Sequence, residues 1–350
     1  MKPPAFSIGE NAIGPGHPVY IVAEMSANHN QDFKQALAII AAAKQAGADA
    51  IKIQTYTAST ITLNARNEYF NVTGTIWEGK NLYDLYQEAH TPWDWQPKLK
   101  AYADEIDIEL FSSPFDETAV DFLEDMAVAA YKVASFELVD IPLLKKIAAT
   151  GKSVIVSTGM ATLAEIEEAV AVLRATGNDQ VALLKCTSAY PAPAEEMNLQ
   201  TIPHLANTFQ LPVGLSDHTL GDEVAIAAVA LGACVIEKHL TLSRQTPGPD
   251  SSFSMEPHEF AAMVDRIRCV EKALGKVTYE MTAKQKECLK YRRSLFIAAD
   301  MNPGDVFSPR NVRSVRPADG LHTRFLPDIL GKKVTRAVQK GTPLTWDIIA

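Results

Sequence analysis

Cysteine is scarce: positions 186, 234, 269 and 288 carry the only four in 350 residues, and none stands in a C-x-x-C spacing. That pattern excludes a cysteine-ligated zinc module and a dense disulfide framework. No charged-then-apolar leader opens the sequence, and no apolar run approaches the roughly 20 residues that a membrane-spanning helix needs. The most apolar stretch, Val224 to Val235, is broken by Gly232 and reads as a buried helix running into a strand. These absences lead to the expectation of a reduced, cytoplasmic protein with no membrane segment. Positive charge is also in short supply, with 33 Lys and Arg against 42 Asp and Glu, a net −9. A nucleic-acid or anionic-lipid surface needs clustered Lys and Arg, so neither partner is expected, and any phosphate must be held in a local pocket. Neither a G-x-S-x-G nucleophile elbow nor a P-loop occurs, which removes the commonest serine-nucleophile and nucleotide-phosphate readings.

What is present is an ordinary globular composition, 47% hydrophobic and 21% charged, in a chain long enough for one large α/β barrel with an appendage or for two medium domains. Short β-branched runs alternate with stretches of helical periodicity, the pattern of repeated βα units and a parallel sheet. Eight strands are expected: Val19–Ser26, Ala50–Tyr56, Glu109–Phe115, Ala130–Glu137, Ser153–Gly159, Val181–Ser188, Val213–His218 and Val235–Leu240. Helices are expected at Gln31–Ala46, Asp116–Met126, Ile141–Thr150, Leu163–Thr176, Leu220–Leu231 and Pro257–Leu274, with Gly47, Gly151, Gly177 and Gly232 placed as C-caps. Eight such units close a (β/α)₈ TIM barrel, an α/β fold whose active site lies at the C-terminal strand ends. Residues 1–274 form this catalytic domain, 275–290 a polar linker, and 291–350, rich in Pro and Gly turns, a small β-domain. The segment from Thr57 to Trp93 is too long for a simple βα connection and is expected to cover substrate.

The strand ends carry Glu24, Asn28–His29, Lys52, Gln54, Ser112–Ser113, Lys132, Ser135, Glu137, Ser157–Thr158, Lys185, Thr187–Ser188, Tyr190, Ser216–His218 and Glu237–His239. Lys and Glu embedded in apolar strands need partners, so their recurrence at these ends points to a site. His218 and His239 end the seventh and eighth strands, neighbours in a closed barrel, where two imidazoles can bind one divalent metal and leave positions open for a substrate oxygen. A single such histidine would be structural or a proton carrier. Lys52 and Lys132 can hold a phosphate and a carboxylate as fixed point charges, or form buried ion pairs. Ser113, Ser135, Ser157, Ser188 and Ser216 can add hydroxyl donors. Glu24, Glu137 and Glu237 are available for proton transfer, water activation or orientation of the metal site, and the residues alone do not divide those roles.

The string Ile21-Val22-Ala23-Glu24-Met25-Ser26-Ala27-Asn28-His29-Asn30 resembles the first-strand signature of the sialic acid synthase family. So do Ala46 to Thr55, Ser157-Thr158-Gly159-Met160, Gly214-Leu215-Ser216-Asp217-His218-Thr219, Glu237-Lys238-His239 and Gly248-Pro249-Asp250, in family order along almost the whole chain. The resemblance implies a TIM barrel joined to a C-terminal antifreeze-like (SAF) domain, and a transferase that condenses phosphoenolpyruvate with an N-acetylated amino sugar. It implies His218 and His239 as ligands of Mn²⁺ or Mg²⁺, and Lys52, Ser113, Lys132, Ser135, Ser157, Ser188 and Ser216 around phosphoenolpyruvate. Glu24, Gln54, Tyr190 and Asp250 would face the sugar or assist proton transfer. It further implies a domain-swapped homodimer in which Arg316, in Val315-Arg316-Pro317, reaches the sugar's acetamido group in the partner; read alone, Arg316 is a solvated charge.

The segments Glu24 to His29, Lys185 to Pro193 and Pro249 to Ser254 look like the pseudaminic acid synthase branch, with Ser188 where many sialic acid synthases have Asn. A 6-deoxy sugar presents a methyl group where N-acetylmannosamine has a hydroxyl, and Phe136 or Met25 could supply an apolar wall for it. The competing expectations are N-acetylneuraminic acid synthesis from N-acetylmannosamine, a pyruvate-consuming metal-dependent aldolase, and a non-catalytic sugar- or ice-binding protein that would need neither His218 nor His239.

Overall fold

The computed structural model describes residues 5–350. Eight parallel strands form a closed barrel: β1 (Tyr20–Glu24), β2 (Ala50–Thr55), β3 (Glu109–Pro114), β4 (Ala130–Val133), β5 (Ser153–Ser157), β6 (Val181–Cys186), β7 (Val213–Asp217) and β8 (Val235–His239). Each pairs with its neighbour in sequence, and β8 closes on β1 with His239 opposite Glu24, which is itself opposite Lys52. Eight helices accompany them: α1 (Phe33–Gln45), α2 (Gln96–Glu105), α3 (Glu117–Asp125), α4 (Ile141–Ala149), α5 (Leu163–Arg174), α6 (Thr201–Phe209), α7 (Glu223–Ala230) and α8 (Pro257–Leu274). Among the described residues no helix is long and apolar enough to cross a membrane.

Successive strand residues face opposite sides of the barrel wall, and this period of two sorts the side chains. One phase, including Ile21, Ala23, Met25, Ile51, Ile53, Val154, Val156, Leu183 and Leu215, packs with the helices in the main core. The other phase begins with Tyr20, Val22, Ala50, Phe111, Ala130, Ile155, Ala182, Leu184 and Val235, a separate apolar cluster inside the barrel. A hairpin of Phe6–Ile8 and Asn11–Ile13, absent from the sequence reading, inserts Phe6, Ile8 and Ile13 into that cluster. Inside the barrel, the layer nearest the N-terminal strand ends is therefore oily, and the polar residues of the same phase come later in each strand.

Local chemistry explains the helix limits. Asp32 caps α1 by accepting from the Lys34 N–H, and Thr162 with Glu165 forms a capping box at α5. Gly47 follows α1 at φ +84°, and a Cβ there would stand 3.1 Å from Val264 Cγ1, so both conformation and packing call for glycine.

Several expected boundaries are corrected. The fourth strand ends at Val133 rather than Glu137, because the Glu137 N–H donates to Ala134 O and turns the chain. Helices α2 and α6 were not expected, and the long connection after β2 contains two short helices, Ala58–Ile61 and Leu82–Ala89.

The chain divides into two compact units at Gly275–Lys276. In the second, Ala283–Glu287 is a short helix and strands β9 (Ser294–Ile297) and β10 (Val312–Val315) pair antiparallel. It has its own core of Leu295, Ile297, Met301, Phe307, Val312, Ile329, Val334, Val338, Leu344 and Ile348.

Candidate active site

The inward phase that starts oily ends polar, and those ends line a cavity of about 450 Å³. Glu24, Lys52, Gln54, Ser113, Lys132, Ser157, Ser216, His218 and His239 all lie on its wall, joined by Ser135, Glu137, Tyr190 and Asp250 from the loops. Its centre is a buried charge cluster. Lys52 Nζ stands 2.9 Å from Glu24 Oε2 and 3.3 Å from Glu237 Oε1, and Lys132 Nζ is 3.5 Å from the same Glu237 oxygen. Ser216 Oγ donates to Glu237 Oε1 at 3.1 Å, and Lys52 Nζ donates to Ser113 Oγ at 3.4 Å. The lysines are thus both ion-paired and cavity-facing.

Burial alone would push the Glu237 carboxyl up, but its cationic neighbours, Lys132 and Lys52 foremost, outweigh it and hold it down at about 2. Glu237 therefore stays a carboxylate and is no proton donor at neutral pH. Burial raises the Glu24 carboxyl despite Lys52, and lowers the Lys132 ammonium, with Lys52 adding to that repulsion. Glu137 has no ion pair, and burial lifts its carboxyl to about 7. The Oε2 atoms of Glu137 and Glu237, Ser157 Oγ and His239 Nδ1 are buried without a hydrogen-bond partner. Orphaned polar atoms gathered at one cavity are what a polar ligand would satisfy.

The two imidazoles stand 5.5 Å apart, centre to centre. His218 Nδ1 lies 3.0 Å from Thr187 O, which orients that ring and leaves Nε2 for a ligand. Burial, with His218 nearby, holds His239 well below the usual histidine range, so it is neutral as metal binding requires. Among the described residues no three His, Cys, Asp or Glu side chains group as a metal shell. The chain thus offers a two-imidazole half-site, with the unpartnered His239 Nδ1, that fits a cation completed by water and substrate oxygens.

Ser188 is half-buried and is not among the residues lining the cavity; its Oγ lies 3.9 Å from Cys186 Sγ and so close to Gly159 that a Cβ there would clash with it. Arg316 is exposed on the second unit. Of the two apolar-wall candidates, Phe136 lines the cavity, whereas Met25 is fully buried in the strand–helix core, having the opposite strand phase. The same parity places the Lys238–Asp217 pair, 2.7 Å apart, outside the barrel. His29 is buried against Thr91, with Nε2 3.1 Å from its hydroxyl, and is structural. Sequence reading missed Cys186, Ser26, Tyr56 and Trp77 on the cavity wall. Cys186 was accessible to a parity argument; Trp77, which donates to Pro249 O at 2.8 Å and tilts over Tyr190 at 5.7 Å, was not.

Comparison with known proteins places this geometry. The NeuB family pattern matches residues 39–279 and the SAF domain pattern residues 292–350. Pseudaminic acid synthase of Helicobacter pylori is 42% identical, over 95% of this chain and 98% of its own. The enzyme of that name from Campylobacter jejuni is 44% identical, over 93% and 95%. The crystal structure of N-acetylneuraminic acid (sialic acid) synthetase from Leptospira borgpetersenii, in complex with citrate, superposes with a TM-score of 0.74 at 33% identity, covering 82% of this chain and 95% of that one. Barrel, second unit and near full-length likeness agree, and the chain belongs to the NeuB family, with a C-terminal SAF domain.

Proposed function

We propose that this chain condenses phosphoenolpyruvate with the open-chain aldehyde of 2,4-diacetamido-2,4,6-trideoxy-L-altrose, consuming water and giving pseudaminic acid and phosphate. The observation that carries the reading is one cavity holding two buried lysines, a hydroxyl set and two imidazoles. Relatives named pseudaminic acid synthase, 42% and 44% identical over at least 93% of the chain, support the choice of sugar.

Lys52 and Lys132 hold the phosphate and carboxylate of phosphoenolpyruvate, with Ser113, Ser135 and Ser157 donating to their oxygens, Ser216 holding Glu237 in place and Ser188 nearby. Glu237 keeps the two ammonium groups apart and charged. His218 and His239 would hold a divalent cation, Mn²⁺ or Mg²⁺, which when bound polarises the aldehyde oxygen. Carbon 3 of phosphoenolpyruvate attacks the aldehyde carbon, water adds at carbon 2, and phosphate leaves by C–O cleavage. Of the attacking water's two protons, one reaches the new hydroxyl and the other goes to the departing phosphate as the carbon-2 hydroxyl collapses to the carbonyl; Glu137 and Glu24, whose carboxyls titrate above the usual range, exchange them. Gln54, Tyr190 and Asp250 face the sugar, and Phe136 with the apolar residues of the long loop after β2 covers its methyl end. In a domain-swapped homodimer Arg316 offers its guanidinium to the acetamido group in the partner's cavity; the family likeness of Val315-Arg316-Pro317 supports this.

The test is phosphate release from phosphoenolpyruvate by metal-stripped protein, with and without added Mn²⁺, comparing the diacetamido-altrose with N-acetylmannosamine. Metal-dependent release with the first sugar alone is expected. Release with N-acetylmannosamine alone would make the product N-acetylneuraminic acid, and release with neither would sink the substrate pair.

A further inference from the structure

Ser26 lines the cavity in a backbone conformation that suits a different residue. Its φ is +44°, in the left-handed region where a side chain is strained and glycine is not. Its neighbours are held on both sides: Met25 is buried in the strand–helix core, and Asn28 Nδ2 donates to Leu240 O and Ser254 Oγ, both at 2.9 Å. What the strain retains is a doubly bonded hydroxyl on a residue that is 5% exposed. Ser26 Oγ donates to Asp250 Oδ2 at 2.5 Å and accepts from Gln54 Nε2 at 2.9 Å. It ties the segment after β8 to β2 across the end of β1. Gln54 Nε2 also donates to Glu24 Oε1 at 3.0 Å, and the Ala27 N–H to Asp250 Oδ2 at 3.3 Å. These bonds use Asp250 Oδ2 and both hydrogens of the Gln54 amide. Asp250 Oδ1 and Gln54 Oε1 make no hydrogen bond with any other described residue, and both side chains line the cavity.

We propose that Ser26 is a positioning residue for the amino sugar: its hydroxyl fixes Asp250 and Gln54 so that their remaining oxygens accept hydrogen bonds from sugar hydroxyl and acetamido N–H groups. The proposal rests on the condensation reaction proposed above. The strain at φ +44° is then the cost of specificity, and stability and substrate binding must respond oppositely to its removal.

Three measurements on Ser26→Gly and Ser26→Ala decide it. In Ser26→Gly the thermal midpoint stays level or rises, KM for the diacetamido-altrose rises about tenfold, as loss of a well-placed hydrogen-bonding group does, and KM for phosphoenolpyruvate stays within about twofold. Ser26→Ala, which keeps the strain and loses the hydroxyl, shows the same KM split with a lower midpoint than Ser26→Gly. A crystal structure of Ser26→Gly shows the backbone unchanged and the Asp250 carboxylate displaced. An unchanged sugar KM, an equal rise in both KM values, or a Ser26→Gly midpoint several degrees lower would overturn the proposal, the last by making the hydroxyl structural. If the wild-type protein turns over neither sugar, the reaction reading falls by itself. The crystal structure then decides Ser26: an unmoved Asp250 overturns its positioning role and a displaced one upholds it.

Discussion

Glu137 sits in the turn after β4 with a carboxyl raised from the ordinary 4.5 to about 7, because burial opposes its charge and no cation pairs with it directly. The native state therefore binds this proton more tightly than the unfolded chain does. The stability this represents is fully present below about pH 4.5, falls as pH rises, and is gone above about pH 7. Glu137→Gln, neutral throughout, removes that loss. Its thermal midpoint relative to wild type should be more favourable at pH 8 than at pH 5, by a difference worth at most about 3 kcal/mol. A midpoint difference independent of pH would refute the assigned ionisation. In turnover, the wild-type rate should show an ionisation near pH 7 that Glu137→Gln lacks.

At the scale of elements, the N-terminal hairpin does what no barrel strand can do alone: it fills the interior below the charge cluster. Phe6, Ile8 and Ile13 are 1%, 0% and 0% exposed. Truncating Phe6 or Ile8 to Ala leaves a cavity that flanking strands cannot collapse to fill, and should cost about 3 kcal/mol in urea unfolding. Because the cavity in which the reaction is proposed lies at the opposite strand ends, KM for both substrates should stay near wild type; a large KM change without loss of stability would contradict the plug assignment. The hairpin escaped sequence reading because strands of three residues carry too little alternation to stand out. Helix α2 was hidden by Pro97 in its first turn, a position where proline needs no hydrogen-bond partner, and by its polar sequence Gln96 to Glu105. Helix α6 likewise has Pro203 near its start.

At the scale of the whole molecule, the hydrophobic clusters on either side of Gly275–Lys276 are separate and imply two cooperative units. Hydrogen exchange on the intact protein should therefore report one opening free energy for amides of β1–β8 and another for β9 and β10, whereas a single shared value would show one cooperative unit. The net charge of −9 is likewise a property of the whole that says nothing of the site, where two lysines are enclosed. The βα alternation, the count of eight strands, the polar strand ends and the family motifs were legible in the sequence because each is local or periodic, set by neighbours a few residues apart. The sequence also placed Glu24, Lys52, Lys132, His218, Glu237 and His239 at or near those ends, where they line the cavity. Only the closed barrel decided which of the charged residues meet. Closure puts His239 beside Glu24 and Glu24 beside Lys52, turns Lys238 and Asp217 outward, and brings Ser26 to Asp250 across 224 positions of chain. Pairings of that kind depend on strand phase and loop return, which are settled by packing the whole chain at once.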